Sequence, residues 1–484
     1  MRPIRINNFQ RGLSSSPYKA DGAFSKAVNL DIFGQEGIAR INYLPTKESS
    51  TTITDKPICI VGENTIYASD YGGEIYKADG DGSGTWSKIG DNKGKYIVKW
   101  KGHIIAVGQT AAINCYKISN STWYTLDTST DETADFIYVS KNNDKVYIGH
   151  GNHVTTIQED TDFDANDAGT YTVNENVITL SEGENISCIA ERKEDILLGI
   201  DQNPTTSGVK RSYIYIYDRS DNTFDFPVKV PEKSINAMFE VGNRVYISAG
   251  MEGQIYLFSE SGLVPYAKIP YDYEATNQMK VEKYGMTWYK DRLLVAVGQS
   301  IYNSSSRFNP CGIYSIKDGK VNLEFAISSG KLGDDNQLNI PVVHSVLGNI
   351  DGDTVIFGYY DKANTAYAID QVTDNNNRVA SYGAYFETQL YRIGTPTFKE
   401  SSRKVDIVLA RPLQTGEGIR IKYREDINSS WTTLGTFDYA THGAKTFYQM
   451  PFGKKDIINL QLRVELTTGA TSKNTPYLHE IIIY

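Results

Sequence analysis

The chain has little that would make a helix. No segment of ten or more of its 484 residues keeps apolar positions at i, i+3, i+4 and i+7, which argues against a helical protein. Long apolar runs are missing too. The longest, such as Leu293–Val297, fall far short of the roughly 20 residues that cross a bilayer, so no membrane insertion is expected. The opening MRPIRINNFQRGL carries arginines with no apolar stretch behind them, the pattern of a chain without a signal peptide. Basic runs are absent, and 49 Lys and Arg against 58 Asp and Glu leave a net charge of −9. That balance argues against a protein whose affinity comes from neutralising nucleic-acid phosphates.

Chemistry-bearing motifs are equally scarce. There is no P-loop, no GxSxG and no GxGxxG after a strand. The four cysteines, Cys59, Cys115, Cys188 and Cys311, stand alone inside strand-like apolar stretches, with neither CxxC nor framework spacing. They read as small buried hydrophobes in a reducing compartment. Among only six histidines, His150 and His153 lie three apart in GHGNHV, where the glycines place them on a turn with no third zinc ligand following. The segment Asp79-Gly-Asp81-Gly-Ser83-Gly-Thr85-Trp86 opens like a Ca²⁺ loop but reaches Gly90 where the bidentate glutamate belongs. It is also similar to a degenerate Asp-box turn of a sialidase propeller, and it reads as a plain hairpin turn. The acidic run Glu159, Asp160, Asp162, Asp164 and Asp167 reads as a solvated loop, again with no closing glutamate. Glycoside hydrolysis needs two carboxylates facing across a substrate, and no pair stands out. No catalytic, cofactor-binding or metal residue is expected.

What the sequence does have is repetition. Short β-branched and aromatic runs alternate with Gly, Asn and Asp clusters, and tyrosine dominates the aromatics with 34 residues. A two-residue polar turn followed by a short apolar strand recurs seven times. The copies are Glu63-Asn64, Lys101-Gly102, Asn143-Asp144, Glu194-Asp195, Gly242-Asn243, Lys290-Asp291 and Gly352-Asp353. The intervals between their second residues are 38, 42, 51, 48, 48 and 62. A strand precedes each turn, a third centred on tyrosine follows several (Ile75-Tyr76, Cys115-Tyr116, Ile214-Tyr215, Ile255-Tyr256, Ile313-Tyr314), and a fourth follows another turn.

Four antiparallel strands per 40 to 50 residues make the blade of a β-propeller, since one blade cannot bury both faces and stacked blades can. The expectation is an all-β chain: a β-propeller over residues 51–375, of seven blades or of six if one unit is misread. The expected innermost strands include 57–61, 95–100, 135–140, 186–190 and 235–241. Insertions at 159–178, 201–212, 302–310 and 324–340 are expected as loops on its faces. Residues 1–50 lack alternation and read as an extended N-terminal arm, with Ile38–Leu44 as the strand that closes the ring. After a polar stretch, Thr373–Arg378, seven longer alternating strands predict a C-terminal, jelly-roll-like β-sandwich over 376–484, with the last strand tied into a sheet.

Two stretches resemble virion structural proteins of tailed bacteriophages. One is Asn8-Phe9, Gly12-Leu13, Asp21-Gly22-Ala23, Asn29-Leu30-Asp31 and Gly37. The other is Tyr385-Phe386-Glu387-Thr388, Lys404-Val405, Trp431-Thr432-Thr433-Leu434, Leu462-Arg463-Val464-Glu465, Thr475-Pro476-Tyr477-Leu478 and Ile481–Tyr484. Together they span about the first 45 and the last 110 residues. The resemblance is to tail hub, nozzle or neck-proximal proteins containing a propeller. It implies a non-enzymatic part of the virion tail, assembled in the host cytoplasm. Its partners would be other tail or neck proteins and further copies in a homo-oligomeric ring. DNA would pass without sequence-specific contact, past an acidic wall that repels phosphates. Assembly geometry carries over no functional residue. The alternative is a carbohydrate-binding adhesion or receptor-binding module whose partner is a surface glycan, and a third reading is a propeller glycoside hydrolase or lyase. Fold alone decides among none of these.

Overall fold

The computed structural model describes residues 3–13, 24–48, 53–80, 85–127, 133–159, 171–202, 210–270, 281–297, 312–326, 342–350, 352–361, 366–379, 382–394, 400–468 and 473–484. The chain is all-β. Its contacts group it into two compact units. A meander unit comprises Lys47–Cys311 and Lys331–Gln371, and a terminal unit comprises Met1–Thr46, Gly312–Gly330 and Val372–Tyr484.

The meander unit is built from antiparallel strands taken in chain order. The first three sheets are Pro57–Gly62 to Ser87–Gly90, Tyr96–Trp100 to Thr122–Asp127, and Phe136–Val139 to Tyr171–Thr179, each with four strands. The next runs Glu184–Arg192, Asp195–Gln202 and Arg211–Asp218, with Thr223–Phe224 and Val228–Val230 sharing the edge of the third strand. Ile235–Val241 to Gly262–Lys268 makes a fifth. The hairpin Met286–Tyr289 and Arg292–Val297 follows, then Val342–Ile350, Thr354–Asp361 and Ala366–Val372. That last sheet takes its fourth strand, Thr46–Lys47, from ahead of the first, with Glu48 N–H donating to Ile369 O at 3.0 Å and Ile53 bridging Tyr367. Residues 46–47, not 38–44, therefore supply that strand; Arg40–Ile41 pairs instead with Leu30–Asp31.

Each of the seven recurring turns joins the first strand of a sheet to the second. In the fourth sheet the turn is Lys193-Glu194, one residue earlier than expected, because Asp195 already pairs with Arg192. The first strands lie side by side in succession, and the last of them, Val342–Ile350, lies against the first, Pro57–Gly62. The crowding at their contacts has a local signature. Pairing slips by one residue at 58, 187, 236 and 344, and the residue after each slip is small and faces a small partner. The pairs are Cys59 with Ser69, Cys188 with Gly199, Ala237 with Ser248, and Ser345 with Gly358. From these positions Cys59 Sγ donates to Ile97 O at 3.3 Å and Ser345 Oγ to Pro57 O at 2.6 Å, in each case on the neighbouring first strand.

The terminal unit holds two sheets with one core. One has the order Ile4–Ile6, Leu478–Ile483, Glu400–Leu409, Phe447–Ile457. The other has Lys26–Val28, Ala384–Glu387, Asn459–Thr467, Gly418–Arg424, Thr432–Asp438. Val405, Ile407, Met450, Ile481 and Ile483 of the first and Phe386, Ile419, Ile421, Phe437, Leu462 and Val464 of the second belong to one buried cluster.

The expected extended arm is corrected here. Ile4–Ile6 pairs in register with Ile481–Ile483, and Phe9, Phe24 and Phe386 pack with ring centroids 4.5 to 5.9 Å apart. Ala39 exchanges both backbone bonds with Leu478, and Asp31 holds Arg40 at 2.7 Å. The segment lacked alternation because its strands are two or three residues long, too short for a period of two to register. The hairpin Gly312–Lys317 and Lys320–Phe325 continues the four-stranded sheet begun by Met286–Tyr289 and Arg292–Val297, while its contacts group it with the terminal unit. Asn322 Nδ2 donates to Leu30 O at 2.7 Å and Leu13 N–H to Val321 O at 2.7 Å.

Deleting residues 1–30 is therefore expected to break the terminal unit. Removing Phe9 and Phe24 alone forfeits about 3 to 5 kcal/mol for each ring, and limited proteolysis should cut 400–484 first. Gly358→Val tests the other unit. A Cβ there already stands 2.7 Å from the Pro57 ring, so a loss of about 1 to 3 kcal/mol is expected in denaturant titration.

Candidate functional site

One tyrosine links the first strands of several sheets of the meander unit. Tyr284, ahead of the 286–297 hairpin, donates its hydroxyl to Ile137 O at 2.9 Å and accepts from Ile137 N–H at 3.1 Å. Its ring stacks on Phe136 at 5.1 Å and 4° and lies 5.8 Å from Tyr96, while its carbonyl accepts from Val346 N–H at 3.2 Å. Burial pushes this phenol well above its ordinary range, beside Cys59 and Cys188. Side chain and carbonyl of this one residue thus reach the first strands of five sheets.

An open groove of about 450 Å³ lies instead between the third and fourth sheets. Tyr147, Tyr217 and Phe224 give it aromatic walls, with Tyr217 and Phe224 5.3 Å apart, and Val177 and Phe224 are both exposed at its edge. Amides position the phenols: Asn143 Nδ2 donates to the Tyr147 hydroxyl at 2.7 Å, and the Tyr217 hydroxyl donates to Asn222 Oδ1 at 2.9 Å. Burial raises the Tyr217 phenol above its usual value, so it stays a neutral donor at physiological pH. Lys145 adds a cation. Arg219, at the end of the groove, is pinned by buried Glu191 at 2.6 Å and by Ser140 Oγ at 3.0 Å, so it braces the wall more than it offers charge. No carboxylate is among the described residues lining the groove. The arrangement can stack against a flat face and hydrogen-bond its rim, and it offers no acid–base pair for proton transfer.

The sites singled out in the sequence do not gather here. His150 and His153 face each other across the Gly151-Asn152 turn, bonded to Thr155 Oγ1 at 2.9 Å and Thr179 Oγ1 at 3.1 Å. Asp79 pairs with Lys77 at 3.0 Å and Trp86 is buried, while residues 81–84 lie outside the described residues. Glu159 pairs with Lys101; Asp160, Asp162, Asp164 and Asp167 lie outside the described residues, as does Cys311. Among the described residues no three His, Cys, Asp or Glu side chains are placed to hold a metal ion. The sequence reading missed the groove, although Arg211–Asp218 alternates Tyr213, Tyr215 and Tyr217 on one face of a strand, a signal for an aromatic surface.

No protein-family model matches the sequence, and no curated protein does. Solved structures similar to it include the β-propeller domain of Cps50 (Swd1) from Myceliophteria thermophila, at 9% identity and a TM-score of 0.45 over 67% of this chain and 99% of that one. Another is U3-55K, at 10% identity and 0.46 over 68% and 98%. A chain of a mitotic checkpoint complex matches at 12% and 0.43 over 67% and 94%.

Burial pushes the Cys59, Cys115 and Cys188 thiols up to about 12. A thiol reagent is expected to label these three only after denaturation. Because the folded values are raised, their contribution is complete below the ordinary thiol range and fades as pH climbs toward 12. Stability should therefore fall as pH rises past about 9, measurable as a falling Tm in alkaline buffers. Labelling of any of the three in the native protein would contradict the packing.

Proposed function

We propose that this chain is a structural component of a bacteriophage tail, a hub, nozzle or neck-proximal ring protein that works by assembly around the DNA channel. It is read as a seven-bladed propeller joined to a jelly-roll-like β-sandwich, and as a non-enzyme. The observation that carries the proposal is the terminal unit. Phe9, Leu30 and Asp31 from one resembling stretch and Phe386, Val405, Leu462, Val464 and Leu478 from the other are residues of one folded unit. Two stretches that match separately in sequence thus act as a single module. The seven first strands, each beside the next and the last beside the first, support seven blades. On this reading DNA runs past the assembled copies without sequence-specific contact, repelled by their net negative charge.

Electron microscopy of the purified full chain tests this. Closed rings of several copies are expected, and a protein that stays monomeric and enters no tail would overturn it. A second reading, a carbohydrate-binding module, is favoured by the groove, where Tyr147, Tyr217 and Phe224 could stack on a sugar ring rimmed by Asn143 and Asn222. On that reading a glycan array gives a hit whose affinity drops by roughly tenfold in Phe224→Ala, the value of one aromatic contact.

A further inference from the structure

Charge is unevenly divided along this chain. The terminal unit carries 22 Lys and Arg against 16 Asp and Glu, and the meander unit 27 against 42. An overall charge of −9 thus combines a unit of +6 with one of −15. The positive excess has a structured outlet. On the outer face of the second sheet of this unit, Lys26, Arg463, Arg420, Lys422 and Arg424 stand on three strands, Lys26 set off from the rest by Ala384–Glu387, and the register brings them together. The carboxylates of this face lie beneath or beside them. Glu465, 1% exposed, forms ion pairs with Lys422 at 2.8 Å, with Arg463 at 3.0 Å and with Arg420. Glu387 lies 3.6 Å from Arg424 and 3.7 Å from Arg463, and Asp438 at the edge caps the short helix Tyr439–His442.

Aromatic rings fix the same cations. Arg463 sits over Tyr385 at 3.7 Å, Arg420 over Tyr382 at 4.1 Å and Arg424 over Trp431 at 4.3 Å. The buried carboxylates and the rings hold the cations in place while part of each remains accessible, with Arg420 31% and Lys422 23% exposed. A surface already ordered in this way loses little side-chain entropy on contact with a partner.

We infer that this face docks on the acidic meander unit of a second copy of the same chain. The inference rests on the assembly reading and names the contact by which copies would join. Charge complementarity selects the occupant, because the opposite excess, −15, is carried by every other copy. A face on one unit meeting a different surface on the next copy is a heterologous contact, which closes into a ring when its rotation permits and otherwise runs on as a filament. Duplex or single-stranded DNA would also suit a cationic sheet, but it would bring phosphates toward a chain whose net charge repels them.

The test uses the full chain. Sedimentation velocity at about 50 mM and about 500 mM salt should show association weakened at least tenfold at the higher salt, as screened opposite charges require. The double variant Lys422→Gln, Arg424→Gln should weaken association at low salt, whereas Arg5→Gln, Lys404→Gln on the other sheet removes the same charge without that effect. Zero-length carbodiimide cross-linking of mixed light and heavy copies should join Lys26 or Lys422 to meander-unit carboxylates of another copy. That readout stands whether or not the double variant folds. Assembly that is indifferent to salt, or that gives no such inter-copy links, overturns the inference and leaves the assembly reading intact. A chain that stays monomeric at both salts overturns both. Binding of a single-stranded oligonucleotide lost in the double variant, with association unchanged, assigns the face to nucleic acid and overturns the inference.

Discussion

The meander unit depends on how closely its first strands approach one another. Seven of them run side by side, and at that depth the backbones leave room for little more than a methyl, thiol or hydroxyl group. Cys59 with Ser69, Cys188 with Gly199, Ala237 with Ser248 and Ser345 with Gly358 meet the limit, each beside a slipped register that turns the strand toward its neighbour. At Gly199 a Cβ would stand 3.2 Å from the Ile235 side chain, and at Gly149, where Phe136 is the partner, 2.9 Å from Ile186. Interiors packed to crystal density do not absorb an added methylene freely. Cys59 and Cys188 are thus steric choices, and the feature they share with Ala237 and Ser345 is size.

Farther along each sheet, polarity takes over from size. Third-strand tyrosines reach carboxylates: Tyr76 to Glu74 at 2.6 Å, Tyr215 to Glu184 at 2.5 Å, Tyr256 to Glu232 at 2.8 Å. Burial raises all three phenols, so each stays a donor across the physiological range. Between the third, fourth and fifth sheets the pattern becomes a network. Glu191 binds Arg219 and Ser140, its own N–H donates to Glu240, and Glu240 takes Lys141 and the Tyr138 hydroxyl. Breaking such a buried pair by removing one partner costs about 3 to 5 kcal/mol, so the network ties Arg219 to its place in the wall of the aromatic groove.

Periodic features were legible in the sequence and aperiodic ones were not. The seven turns were found because each must reverse the chain within a short polar loop, and positive φ at Lys101, Asp144, Gly242, Lys290 and Gly352 favours that composition. The long strands at Glu400–Leu409 and Asn459–Thr467 alternate over enough residues to be seen. The opening forty residues were misread because burial there comes from isolated contacts, such as Phe9 on Phe386 and Ile41 N–H on Thr475 Oγ1, that leave no period. Tyr284 was invisible for a related reason. Nothing in its neighbourhood distinguishes it from the other tyrosines until strands from distant stretches of sequence converge on it. The small pairs at the register slips escaped because their equivalence across Cys, Ala and Ser is one of volume.

These constraints bear on where a function could be placed. Among the described residues, the features suited to a partner lie on edges and outer faces. The aromatic groove and the cationic sheet face are two such places, and they differ in kind. The groove sets aromatic walls among amide and hydroxyl groups and suits a small, flat, hydroxylated ligand. The sheet face is a fixed lattice of guanidinium and ammonium groups over buried carboxylates, wide enough for a macromolecular surface and poorly matched to a single sugar. A groove of that kind can act in a lone copy. A cationic face in a chain that is acidic elsewhere gains its complement only when another copy arrives, so of the two it is the feature whose chemistry is incomplete without assembly.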